Sequence, residues 1–259
     1  MTRILTALVL TPTVVWAVLW APAWVLVAVT ALVGLGAYYE FDNIAAAQGI
    51  AKTGWPGMVA GLAVLLIPEP ALPIAVIAAL VLMALNLGAV ELSEVLPSVA
   101  TGMLGVLYIF GAWRCAIMLR DANPHWLMIA LLVSWAGDTA AMYVGKAWGR
   151  RKLAPRISPG KTVEGSIGSV AGGTFVALVY AYFFIPDASL GLVMAVAMAA
   201  NIAGQIGDLC ESAFKRGAGV KDSGTMLPGH GGWLDRVDSS LFSIPVVYAV
   251  LRVITASRF

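Results

Sequence analysis

Apolar residues run along this chain in long blocks that are apolar on all faces, and short polar stretches separate one block from the next. A helix that crosses a bilayer needs roughly 20 mostly apolar residues. That ruler predicts nine segments, near residues 4–20, 22–38, 56–68, 70–88, 99–119, 126–145, 163–184, 188–207 and 239–256. The third is short, so eight spans would also fit the pattern. Many Gly and Ala residues within the segments suit helices that pack closely on one another in lipid. The first stretch, "MTRILTALVLTPTVVWAVLWAPA", has the charged start and small-residue end of a cleavable signal, but apolar sequence resumes at Trp24. Two uncleaved helices hinged near Pro22 are expected instead. The expected fold class is all-α: a polytopic integral membrane protein with about nine helices in a single membrane domain. Residues 1–125 are expected to be mainly scaffold and lipid-facing, and 126–259 to carry the chemistry.

Composition narrows the function classes. Of the 259 residues 60% are hydrophobic and only 12% charged, with mean hydropathy +0.88; an ordinary soluble domain carries about 25% charged residues. A net charge of +2, with no basic run interleaved with aromatics, argues against nucleic acid as a partner. Cys115 and Cys210 sit in no CxxC pattern and are expected to be unpaired thiols. Of the 16 basic residues, 11 fall in the connections after the second, fourth, sixth and eighth segments, concentrated between Lys146 and Lys161 and between Lys215 and Arg236. Retention of Lys and Arg on the cytoplasmic side puts both long loops there, within reach of a charged, water-soluble substrate.

Polar residues inside the apolar blocks carry the next signal. Asn201, Gln205, Asp208, Ser212 and Lys215 are spaced 4, 3, 4 and 3, a single stripe on a helix whose other faces are apolar. Polar groups at membrane depth are costly against lipid, so the stripe is expected to face a wet or ion-filled cavity. Asp138 lies within an apolar segment in the same way, although a buried polar group also serves as glue between membrane helices. After the stripe, Lys215, Arg216, Lys221, Asp222, His230, Asp235, Arg236 and Asp238 are separated by six glycines. Glycine lets backbone N–H groups approach a ligand, and mixed cations and carboxylates suit a metal-bound phosphate. Further back, Ser158-Pro159-Gly160-Lys161-Thr162 precedes a helical segment. Ser158 as N-cap with Pro159 at the first helical position predicts a helix start able to receive phosphate. A P-loop is rejected, because Pro155 stands where its first Gly is required and no strand is expected before it.

The ordered run Ser212, Lys215, Arg216, Lys221, Asp222, Gly224, Leu227, Pro228, His230, Gly231, Gly232, Asp235, Arg236 and Asp238 resembles, without departure, the C-terminal signature of phosphatidate cytidylyltransferases, or CDP-diacylglycerol synthases. Ser158, Pro159, Lys161, Thr162 and Glu164 match that family's Ser-Pro-x-Lys-Thr-x-Glu pattern. The resemblance is specific from Asp138 to Asp238 and compositional over the N-terminal half. It implies transfer of the cytidylyl group of CTP to phosphatidic acid, giving CDP-diacylglycerol and pyrophosphate, by a homodimer in a bacterial inner membrane whose site faces the cytoplasm. The cofactor it implies is Mg2+, with a second cation left open. Asp208 and Asp235 would be the principal metal carboxylates, with Asp238 and Asp222 as helpers. Lys161 and Lys215, with Arg216 and Lys221, would neutralise phosphate charge. Ser158, Thr162, Asp138, Asn201, Gln205, Ser212, Asp222, His230, Gly231 and Arg236 complete the expected substrate contacts. A CTP-dependent lipid kinase is the nearest alternative, opposed by the intact signature through Asp238. An ion-coupled transporter is more distant, since the first five segments are nearly free of polar groups and no repeat is evident.

Overall fold

The computed structural model describes residues 2–67, 71–88, 91–226 and 231–256. Each of the nine predicted segments contains a helix: α1 (Thr2–Leu19), α2 (Ala23–Ala47), α3 (Trp55–Leu66), α4 (Ala71–Leu85), α5 (Val95–Gly105) continuing through a π-helical stretch into α6 (Ala112–Ala122), α7 (Pro124–Trp148), α8 (Val163–Phe184), α9 (Leu190–Gly217) and, after the short α10 (Leu234–Val237), α11 (Ser240–Ala256). Among the described residues six helices are long and apolar enough to cross a membrane, the fifth predicted segment lying in one continuous helix from Leu92 to Ala122. The protein is an all-α, polytopic membrane protein. Pro22 stands at the N-cap of α2 with φ −55° and ψ 147°, so α1 and α2 are separate helices as predicted. Two helices outrun their apolar stretches: α2 continues to Ala47 and α9 to Gly217. Both continue because the polar side chains of those last turns find partners within the protein.

The chain forms two compact units. The first comprises Met1–Leu10, Pro22–Arg114 and Phe214–Val237. Its interior gathers Tyr38, Leu65, Leu82, Ile109 and Phe110, all fully buried, and the Tyr38 hydroxyl donates to the Gly102 carbonyl at 3.4 Å. The glycine-rich loop after α9 belongs to this unit. The second comprises Thr11–Ala21, Cys115–Ala213 and Asp238–Phe259. In it α7 and α8 run against each other along small residues: a Cβ on Gly168 would meet Val144, and one on Gly172 would meet Ala140. Close approach of this kind is how membrane helices gain packing without a hydrophobic drive.

Between α7 and α8 lies a feature that the sequence did not suggest, an antiparallel pair of strands, β1 (Lys152–Ala154) and β2 (Ser158–Thr162), in register Lys152 to Thr162 and Ala154 to Ser158. The expected helix start at Ser158 is therefore corrected. Ser158 and Pro159 are in extended backbone, where the fixed φ of proline and its missing N–H are tolerated at a sheet edge. The helix begins four residues later, with Thr162 as its N-cap: φ −124°, ψ 154°, its hydroxyl accepting from the Gly165 amide at 3.1 Å. A strand does precede the helix, but it contains the Gly-Lys-Thr run itself, so the P-loop arrangement remains excluded.

Candidate active site

In the second unit the polar residues of α7, β2, α8 and α9 meet around one cavity of about 400 Å3. Asp138 and Lys146 reach it from α7, Lys161 and Thr162 from the end of β2, Ser166 from α8, and Gln205 and Asp208 from α9. Lys161 and Asp208 form an ion pair, each about a quarter exposed. Ser212, one turn beyond Asp208, donates to its Oδ1 at 3.3 Å. Gln205 accepts from the Ser166 hydroxyl and donates to the Ser166 carbonyl at 3.2 Å. Glu164 holds the hairpin that presents Lys161: its carboxylate accepts from the Arg150 amide at 3.0 Å and the Arg151 amide at 3.2 Å. That places two ammonium groups, Lys146 and Lys161, and two carboxylates, Asp138 and Asp208, around a cavity cut into apolar helices, the setting in which charge is expensive and usually functional.

Asn201 opens the predicted polar stripe, and the structure gives it a different surrounding from the rest. Only 3% exposed, it donates to the carbonyls of Val133 on α7 and Ser169 on α8, each at 3.2 Å, and accepts from Gln205 at 2.7 Å. It ties three helices together and orients Gln205, while Gln205 and Asp208 face the cavity.

In the first unit the glycine-rich loop is organised by two carboxylates. Asp235 accepts from Lys215 Nζ at 2.5 Å and from the amides of Ser223 and Gly232, both at 2.9 Å. Glu40, on α2, accepts from the Ser223 hydroxyl at 2.8 Å and from the amides of Trp233 and Leu234 at 3.0 Å. Ser223 also accepts from the Asp235 amide at 3.3 Å, so the two acids grip one serine from two sides. Gly231 has φ +78°, a turn conformation that favours glycine. Arg216 donates to the Val220 carbonyl at 3.1 Å, and Lys221, Asp222 and Arg236 are exposed. Asp238, in the second unit, accepts from the Ser239 amide at 2.7 Å. His230 lies outside the described residues, as do Leu227, Pro228 and Gly229 of the signature. Asp208, Asp235 and Asp238 are thus each engaged within their own unit, while Asp222 is exposed. Among the described residues there is no cluster of three or more His, Cys, Asp or Glu side chains arranged to hold a metal by themselves.

Sequence reasoning missed Glu40, Lys146, Ser166 and Ser223 as site residues. Lys146 and Ser166 border motifs already singled out. Glu40 carried its own signal, because Glu40 and Asp42 are acids on an otherwise apolar helix and both are buried.

Residues 1–254 match the model of a family described as the cytidylyltransferase family. The phosphatidate cytidylyltransferase of Staphylococcus haemolyticus is 42% identical over 156 residues, 60% of this chain and 57% of that protein. That of Staphylococcus aureus is 40% identical over 149 residues, 58% and 57% of the two chains. That of Bacillus subtilis is 43% identical over 155 residues, 57% and 56%. The chain spans a little over half the length of these relatives.

Proposed function

This chain belongs to the cytidylyltransferase family, and from that premise we propose that it is a phosphatidate cytidylyltransferase, converting CTP and phosphatidic acid into CDP-diacylglycerol and pyrophosphate. The observation that carries the reading is the cavity in which Lys161 faces Asp208 beside Asp138 and Lys146. Its volume lies within the roughly 300–1,000 Å3 of small-molecule sites. The names of the relatives, all phosphatidate cytidylyltransferases, point to the same lipid acceptor.

The lining also fits magnesium. Asp138, Asp208, Ser166, Thr162 and Gln205 offer oxygen donors, with no thiol or imidazole among the lining side chains. Mg2+ is commonly held by one or two carboxylates together with substrate phosphates, so Asp208 and Asp138 suffice as its protein ligands. When bound, the ion would neutralise triphosphate charge and orient the phosphates.

In the reaction a phosphate oxygen of phosphatidic acid attacks the α-phosphorus of CTP. A new P–O bond forms, the bond to the bridging oxygen of the β-phosphate breaks, and pyrophosphate leaves with that electron pair. The acceptor is already an anion at neutral pH, so no side chain need remove a proton. Lys161 and Lys146 counter the charge that grows on the α-phosphate and on the leaving group. Gln205, held by Asn201 and Ser166, keeps its amide fixed in the cavity wall. The Lys161–Asp208 pair is partly exposed and worth roughly 0.2–1 kcal/mol, so exchanging it for a phosphate on the lysine and a cation on the aspartate costs little. The homodimer, the bacterial inner membrane, the cytoplasmic opening and sideways entry of the lipid belong to the same proposal.

Detergent-purified protein incubated with phosphatidic acid, magnesium and CTP labelled at the α- or γ-phosphorus tests it. Label from the α-position in a liponucleotide, with unlabelled lipid from the γ-position and release of pyrophosphate, is the expected result. Transfer of γ-label to lipid with release of CDP would identify a lipid kinase instead.

A further inference from the structure

Helix α2 falls in the part of the sequence read as scaffold, yet two of its successive turns form a seat for the glycine-rich loop of the same unit. Gly36 and Glu40 are four residues apart and share one face. The Trp233 indole lies against Gly36 so closely that a Cβ there would come within 2.6 Å of the ring. One turn on, the Glu40 carboxylate, 1% exposed, takes the Ser223 hydroxyl and the amides of Trp233 and Leu234. These amides lie at the start of α10, so Glu40 caps the short helix that carries Asp235 and Arg236. The fit is close on the loop side as well: a Cβ on Gly224 or Gly232 would overlap the Glu40 carboxylate. Ser223 passes the restraint on, since its amide donates to Asp235 at 2.9 Å, and Asp235 holds Lys215.

A carboxylate in an apolar helix is costly unless its acceptor capacity is used. Here the hydrogen-bond partners of Glu40 all come from the loop, so its carboxylate is fitted to the loop's donors. We infer that Glu40 is a positioning residue for the cytidylyl transfer: α2, through Glu40 and Gly36, sets the conformation in which the signature loop holds Lys215, at the end of α9, and presents its own amides to substrate. The role rests on the proposed function for its substrate, but not for its geometry.

Asp42 on the same helix is the internal control. It too is buried and accepts two amides, Thr53 at 3.0 Å and Gly54 at 2.9 Å, but these partners lie at the start of α3 and not in the loop. Purified wild type, Glu40→Gln, Gly36→Leu and Asp42→Asn are compared by hydrogen exchange over 218–226 and 231–234, by thermal unfolding, and by steady-state kinetics. In Glu40→Gln and Gly36→Leu, exchange in those two stretches is expected to rise at least tenfold while the remaining helices keep wild-type protection. kcat/KM for CTP is expected to fall at least tenfold, with KM for the lipid unchanged. Asp42→Asn should lower the unfolding temperature, leave exchange in the loop at the wild-type rate and leave KM for CTP unchanged. Wild-type loop exchange in Glu40→Gln, or a general loss of stability matching that of Asp42→Asn, would overturn the inference. The exchange readout needs no turnover: inactivity of the wild type with CTP and phosphatidic acid would remove the proposed function while leaving the seating of the loop to be judged by exchange alone.

Discussion

Lys161 loses little by leaving Asp208, and that asymmetry makes it the sharpest single-residue test. The pair is partly exposed, so deleting the lysine should cost less than about 1 kcal/mol of stability. A charge-assisted contact to phosphate is worth roughly 1.5–3 kcal/mol. Lys161→Ala is therefore expected to lower kcat/KM for CTP at least tenfold while its unfolding temperature stays near that of wild type. Asp208 and Asp235 are separated by a second experiment. Asp208→Asn removes charge from the cavity and is expected to raise the magnesium concentration for half-maximal activity several-fold. The carboxylate of Asp235 is taken up by Lys215, Ser223 and Gly232, so Asp235→Asn is expected to lower the unfolding temperature and leave that concentration unchanged. A rise in the magnesium requirement of Asp235→Asn would instead place this residue on the cation, as the sequence alone suggested. Residues such as Asp138, Asp208 and Lys161 could be read in advance because charge in or beside an apolar run stands out whatever the fold. Glu40 could not be assigned a task in that way, since its partners lie 183 to 194 positions further along the chain.

At the scale of elements, long apolar blocks translate directly into helices, because in lipid a chain must satisfy its own backbone hydrogen bonds. The ends were less legible. α2 and α9 run about ten residues beyond their apolar stretches, since buried partners replace lipid as the environment of their last turns. The hairpin of β1 and β2 escaped altogether: three and five residues are too few for a period to show, and Ser-Pro carries the chemistry of a helix start. The corrected cap is open to measurement. Thr162→Ala should destabilise the protein by about 0.5–2 kcal/mol through loss of the hydroxyl that accepts from Gly165, whereas Ser158→Ala should change stability by less than about 0.5 kcal/mol. Unfolding in denaturing detergent, followed by tryptophan fluorescence, reports both. A larger effect at Ser158 than at Thr162 would restore the earlier start.

For the whole molecule, the distribution of Lys and Arg predicts that residues 146–161 and 209–238 meet the same aqueous compartment. Single cysteines placed at Arg151 and at Lys221, in a variant lacking Cys115 and Cys210, should both react with an impermeant thiol reagent added from the cytoplasmic side and neither from the opposite side. Reaction from opposite sides would end the idea that both loops serve one reaction. The contacts of Glu40 also bear on how this chain is made. Synthesis proceeds from the N-terminus at roughly 5–20 residues per second, so α2 enters the bilayer about 10–40 s before the ribosome has produced Ser223, Trp233 and Leu234. Throughout that interval the acid at its polar end has none of these donors. Arrival of the loop supplies them. The last third of the polypeptide thus completes the packing of the first, and in a nascent chain arrested before residue 223 the amides of α2 around Glu40 should exchange faster than in the full-length protein.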